Sequence, residues 1–184
     1  MRKSEFLREW GVKNITGVTS NPSIFEKSIS SSDEYDSSIY EYTNEGLGPE
    51  QIFEKLAIAD ISKACDLLHS TYLQSNFTDG FASIEVNPNL AHDTSATIEA
   101  GIRIFEQINK PNVMIKVPAT NAGIPAIREL ISIGINVNVT LIFSLDSYRQ
   151  VREAYISGLE DRLQNGHSIS AIMSVASFFL SRVD

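Results

Sequence analysis

Asn112-Val-Met-Ile-Lys-Val-Pro-Ala-Thr120 holds one lysine inside an apolar run that reads as a buried strand, just ahead of a proline and a helix start. In an extended chain Val113, Ile115 and Val117 share one face, and Met114 and Lys116 share the other. A strand buried on both faces is continuously apolar. An ammonium group there is costly unless it is paired or neutralised. Burial and neighbouring positive charge lower an amine's pKa, and a neutral amine is the form that attacks a carbonyl to make a Schiff base. The alternative for Lys116 taken alone is a strand-end lysine whose stem covers apolar surface while its head reaches water.

The elements that must position this lysine alternate along the chain. Strand patterns fall at residues 14–20, 81–86, 112–117, 135–143 and 171–177. Helical patterns fall at 33–44, 49–76, 92–109, 121–134 and 146–164, with a further one at 2–10 carrying Phe6, Leu7 and Trp10 on one face. Pro49 suits a first helical position, and Asn121 is the expected cap of the helix that stops at Gly134. Five strands alternating with helices predict a parallel sheet with crossover helices. A doubly wound sheet and a (β/α)₈ barrel both fit that alternation, and the polar residues favour the barrel. Ile135, Val137, Val139 and Leu141 share one face of their strand, with Asn136, Asn138 and Thr140 on the other. Ala82, Ile84 and Val86 lie opposite Phe81, Ser83 and Glu85, and in the first strand Gly17, Thr19 and Asn21 share a parity. Four strands thus aim Asn21, Glu85, Lys116, Asn138 and Thr140 toward one point near their C-terminal ends, where barrel enzymes place their active sites.

A barrel lysine beside an interior carboxylate fits imine chemistry on a ketose. Lys116 attacks the carbonyl and loses water, and the protonated imine is an electron sink for carbon–carbon cleavage. Glu85 is the candidate acid/base, acting through a water held by Thr140. Asn21 and Asn138 suit substrate hydroxyls. The plainer alternatives are an ion pair for Glu85 and strand-end or turn roles for the asparagines, strongest for Asn21 because Asn-Pro is itself a turn signal.

Composition bounds the partners. The 184 residues carry a net charge of −8 and a pI near 4.9, which argues against nucleic acid or an anionic membrane. A small phosphorylated ligand needs only a local positive pocket and stays open. Cys65 is the sole cysteine, so no internal disulfide forms, which fits a reducing cytosol. The charged start lacks a signal-peptide core, and no apolar run is long enough to span a membrane; a cytoplasmic location is expected. His69, His92 and His167 show no metal-ligand spacing, and no glycine-rich phosphate motif is present, so neither metal nor cofactor is expected. His92-Asp93 reads as a helix start, and Tyr35, Tyr40 and Tyr42 as packing.

Five segments carry a resemblance: Gly17-Val-Thr-Ser-Asn-Pro-Ser23, Ser83-Ile-Glu-Val-Asn-Pro-Asn-Leu-Ala-His-Asp-Thr94, Ile115-Lys-Val-Pro-Ala-Thr120, Asn136-Val-Asn-Val-Thr-Leu-Ile-Phe-Ser144 and Ser177-Phe-Phe-Leu-Ser-Arg182. In this order they resemble the transaldolase family over nearly the whole chain, in wording most like the bacterial branch that also occurs fused to phosphoglucose isomerase. The resemblance implies a class I aldolase of the (β/α)₈ fold, without metal or cofactor. It implies transfer of a dihydroxyacetone unit from sedoheptulose 7-phosphate to glyceraldehyde 3-phosphate, giving erythrose 4-phosphate and fructose 6-phosphate in the pentose phosphate pathway. It casts Lys116 as the Schiff-base lysine and Glu85 and Thr140 as holders of the catalytic water. Thr19, Asn21, Asn138 and Ser177 become substrate contacts, and Arg182 the phosphate ligand.

The chain also departs from the family. Relatives carry a strand before the opening helix, which supplies a catalytic aspartate, and two more strands after the equivalent of Asp184. Residues 1–184 therefore read as a single α/β domain, an incomplete (β/α)₈ TIM barrel with five of eight strands and their flanking helices. Exposed strand edges invite self-association. Loss of the acid/base aspartate alone is expected to cost about 10²–10⁴-fold in rate, leaving imine formation at Lys116 but little turnover. Two other readings compete. A fructose 6-phosphate aldolase shares the barrel and lysine, though the carboxylate at Glu85 resembles transaldolase. A non-catalytic, oligomeric fragment would form no imine.

Overall fold

The computed structural model describes residues 15–178; the expected helix at 2–10, and Arg182, lie outside the described residues. Two compact units divide the chain. The first runs to Ile84 and includes Ile108–Asn112; the second comprises Glu85–Gln107 and the chain from Val113 onward.

In the first unit β1 (Gly17–Thr19) pairs in parallel with β2 (Phe81–Glu85, whose last residue belongs to the second unit), with Gly17 opposite Phe81 and Thr19 opposite Ser83. Between them lie α1 (Pro22–Ser30), a 3₁₀ turn at Asp33–Tyr35, α2 (Asp36–Asn44) and α3 (Pro49–Gln74). Asn21-Pro22 does more than end a strand. The Asn21 side-chain oxygen accepts the Ile24 N–H at 2.9 Å, and Pro22 occupies the first turn, which nucleates α1. Pro49 opens α3 in the same way, as expected. The helix α3 buries Leu56, Ile61, Ala64, Cys65 and Leu68 at helical spacing. Its buried Asp60 accepts the hydroxyl of buried Tyr35 at 2.7 Å. At the α3–β2 turn Gly80 has φ +81°, and a Cβ there would run into the Tyr72 backbone. Asn112, fully buried, donates from its amide to the carbonyls of Cys65 and Gly80 at 2.9 and 2.8 Å.

The second unit continues with a 3₁₀ turn at Pro88–Leu90, α4 (Thr94–Ile108, all but its last residue), β3 (Val113–Pro118), α5 (Gly123–Ser132), β4 (Val137–Ile142), α6 (Leu145–Gln164) and β5 (Ser174–Phe178). The end of β2, then β3, β4 and β5 follow one another in sequence order, all parallel where paired. The Val86 N–H donates to the Lys116 carbonyl, and the Ile115 N–H to that of Asn136. A doubly wound sheet reverses its strand order at a switch point; no reversal occurs in either unit. Five parallel strands, in sequence order within each unit and linked by helices, are the repeat of a (β/α)₈ barrel, here five strands of eight among the described residues.

All six residues of β3 are buried. The helix α5 presents Ala126, Ile127, Leu130 and Ile131 as its buried stripe. Gly158 of α6 lets that helix approach α5 closely, because a Cβ there would sit 2.6 Å from the Arg128 carbonyl. The cap of α5 is not Asn121 as expected. Thr120 accepts the Gly123 N–H at 2.9 Å while its hydroxyl donates to the Ala91 carbonyl, so a tertiary contact selects between two neighbouring cap formers. Asp93 accepts the Ala96 N–H at the start of α4, as the helix-start reading of His92-Asp93 expects. No helix among the described residues is long and apolar enough to cross a membrane.

Candidate active site

The second unit gathers most of the polar residues singled out by strand parity. Lys116 is the fourth residue of β3 and Glu85 the last of β2. The Nζ of Lys116 lies 3.2 Å from Oε2 of Glu85, and the two side chains are 9% and 16% exposed. The amine is buried and has a carboxylate partner, as a buried ammonium group requires.

Asn138 stands directly opposite Lys116 in the β3–β4 register, and Thr140 opposite Pro118. Residues level in register share a face, so the polar side of β4 is the Lys116 side. Asn138 is buried, and its Oδ1 accepts the Ser177 hydroxyl of β5 at 2.8 Å. Ser177 and Asn138 thus form one unit, with the amide nitrogen of Asn138 turned away from that bond. Thr140 is 3% exposed, and its hydroxyl has no hydrogen-bond partner among the described residues. Its carbonyl is fixed by the Ala119 N–H at 2.8 Å.

Thr19 and Asn21 belong to the first unit. Thr19 is exposed, while its neighbour Ser20 is buried and donates to the Ser83 carbonyl at 2.8 Å. Asn21 spends its side-chain carbonyl on the α1 cap and keeps its amide donors. Arg182 lies outside the described residues. Within one unit the structure therefore brings together Lys116 with Glu85 and Asn138 with Ser177, with Thr140 one step further along the same face. Sequence reasoning missed a kink in β4 beside Thr140. Val139 pairs with Ala176 and Ile142 with Phe178, a shift of one residue, and Leu141 has φ +59°. Leu141 is accordingly 38% exposed and Ile142 fully buried, which reverses the alternation that placed Leu141 on the apolar face with Val137 and Val139. Leucine carries no signal for a left-handed backbone.

A buried lysine in contact with a part-buried carboxylate on the adjacent parallel strand, beside a hydrogen-bonded asparagine–serine pair, is an arrangement in an α/β protein that can do amine chemistry on a carbonyl. The family model described as transaldolase/fructose-6-phosphate aldolase matches residues 3–184, and the chain belongs to that family. It is 53% identical to transaldolase 2 of Nostoc sp. (strain PCC 7120) over 172 residues, covering 94% of this chain and 45% of that protein. Identity is 51% with transaldolase 2 of Nostoc punctiforme, over the same shares, and 47% with a transaldolase of Mycobacterium tuberculosis, covering 94% and 46%. The chain spans a little under half the length of these curated relatives, and its lineage is that of transferase enzymes.

Proposed function

We propose that Lys116 is the Schiff-base nucleophile of a transaldolase acting on sugar phosphates. The observation that carries this reading is the buried Lys116 amine 3.2 Å from the Glu85 carboxylate. The neutral amine adds to the ketose carbonyl to give a carbinolamine, and protonation of its hydroxyl expels water to leave an iminium ion. The C3–C4 bond then breaks. Its electrons flow into the iminium to form an enamine on Lys116, and an aldehyde leaves after the C4 hydroxyl gives up its proton. The enamine attacks an acceptor aldehyde, the new alkoxide takes up a proton, and water hydrolyses the imine to release the new ketose and Lys116. Glu85 can accept the proton that Lys116 sheds and return it to the carbinolamine through a water held by Thr140. Asn138 and Ser177 bind hydroxyls without titrating. Arg182 takes the phosphate through a bidentate guanidinium contact.

The substrates on this reading are sedoheptulose 7-phosphate and glyceraldehyde 3-phosphate, giving erythrose 4-phosphate and fructose 6-phosphate in a cytoplasmic pentose phosphate pathway. The 184 residues alone are expected to form the imine and to turn over weakly; self-association through strand edges accompanies that expectation. The second reading, a fructose 6-phosphate aldolase, draws on the family description, which covers both reactions. Glu85 as a carboxylate favours transaldolase, and release of free dihydroxyacetone without an acceptor would favour the aldolase.

Incubation with fructose 6-phosphate and borohydride, followed by intact-mass and peptide mapping, tests the reading. The expected result is one covalent adduct at Lys116. No adduct from a chain folded by circular dichroism refutes the imine and leaves a non-catalytic, oligomeric module.

A further inference from the structure

The kink in β4 sits in the middle of this site. Because Val139 pairs with Ala176 and Ile142 with Phe178, Thr140 and Leu141 together face the single residue Ser177. The extra residue is absorbed at Leu141, whose φ of +59° brings its Cβ toward the following carbonyl oxygen. Leu141 gains no burial in exchange: it is 38% exposed, while Ile142 takes the fully buried place. A regular strand would have buried Leu141 with Val137 and Val139 at no backbone cost. Bulges are uncommon in parallel pairs and cluster where a side chain must be aimed, and a strained residue persists only where its surroundings hold it. The residues on either side of this strain are the buried Thr140 and, across the ladder, Ser177, which donates to Asn138.

We propose that Leu141 is a positioning residue whose left-handed backbone holds the Thr140 hydroxyl in the arrangement that imine formation at Lys116 requires. The inference rests on the imine reading above. The backbone conformation is what matters, not the leucine side chain. Residues that accept positive φ therefore substitute for leucine, and a β-branched residue does not.

The test is the rate of borohydride-trapped fructose 6-phosphate adduct at Lys116 in the full chain. Leu141→Gly and Leu141→Asn are expected to keep most of the parental rate. Leu141→Val is expected to slow trapping about tenfold to a hundredfold, the scale of a misplacement near 1 Å. In a Thr140→Ala background Leu141→Val should add no further loss, because the effect passes through Thr140. A merely structural role would slow both backgrounds alike, and that result overturns the proposal, as does a parental rate for Leu141→Val. If Leu141→Val does not fold, Leu141→Ala replaces it. Alanine differs from glycine by one methyl group but resists positive φ, so equal rates for alanine and glycine overturn the proposal. No adduct in the parent chain refutes the imine reading and this inference with it; an adduct formed equally fast in every variant refutes this inference alone.

Discussion

Removing both members of the Lys116–Glu85 pair should harm the fold less than removing either one. At 3.2 Å two unit charges attract by about 5 kcal/mol at an effective dielectric constant near 20. Against this stands the loss of hydration for two side chains only 9% and 16% exposed. Buried pairs commonly break even or fall short against apolar residues of the same volume, whereas stripping one partner leaves an uncompensated buried charge. Glu85→Gln leaves the more buried member charged, so it is expected to cost about 3 kcal/mol, the low end of the roughly 3–5 kcal/mol typical when one partner of a buried pair is removed. Lys116→Met leaves the more exposed Glu85, which recovers some water, and should cost about 2 kcal/mol. The double variant should lie within about 1 kcal/mol of the parent, so that the coupling energy is at least about 4 kcal/mol. Urea unfolding followed by circular dichroism at pH 7 gives all four corners of the cycle. Repeating it in 0.5 M salt should change the coupling little, because buried pairs are poorly screened. Additive losses would refute the reasoning, since they mean the two groups do not interact in solution. A double variant as unstable as the worse single variant would favour the plainer alternative, in which the pair exists to hold the fold.

Two further predictions concern the first unit. Burial pushes the Cys65 thiol up to about 12 from 9.0, so it stays protonated and inert at neutral pH, and Ellman's reagent should label it only as fast as the fold opens. Because the folded value lies above the unfolded one, the stability from the neutral thiol is complete below pH 9 and is lost as pH rises toward 12; unfolding midpoints that stay flat across that window would contradict it. Gly80→Ala forces a Cβ into the Tyr72 backbone at φ +81°, which should cost at least about 2 kcal/mol in thermal or urea unfolding; a change within error would show that the turn relaxes freely.

What the sequence disclosed and what it withheld separate along one physical line. Charge inside an apolar run is a local signal with a large penalty attached, so Lys116 and Glu85 stood out and are found in contact. Strand parity is also local, and it placed Lys116 and Asn138 on one face, as the register shows. The helix α1 escaped notice because nine serine-rich residues bury only Phe25, too little for a periodic stripe. The cap of α5 escaped because Thr120 and Asn121 are equally good cap formers until the Ala91 carbonyl engages Thr120.

Register between strands is the harder case, since it depends on a partner that no single strand encodes. The Asn138–Ser177 bond joins residues two apart in register, and the reversal of Leu141 and Ile142 follows from the one-residue shift between β4 and β5. The pattern Val137-Asn-Val-Thr-Leu-Ile142 is compatible with either register until Phe178 pairs with the buried Ile142. Leu141 then takes the conformation the pairing demands against its own preference. Where a sequence is silent and the backbone is strained, the conformation is being imposed by the surroundings, and here the strained residue directly follows Thr140. On the proposed reading, residues that carry the chemistry announce themselves by type, and those that aim it become visible only through register.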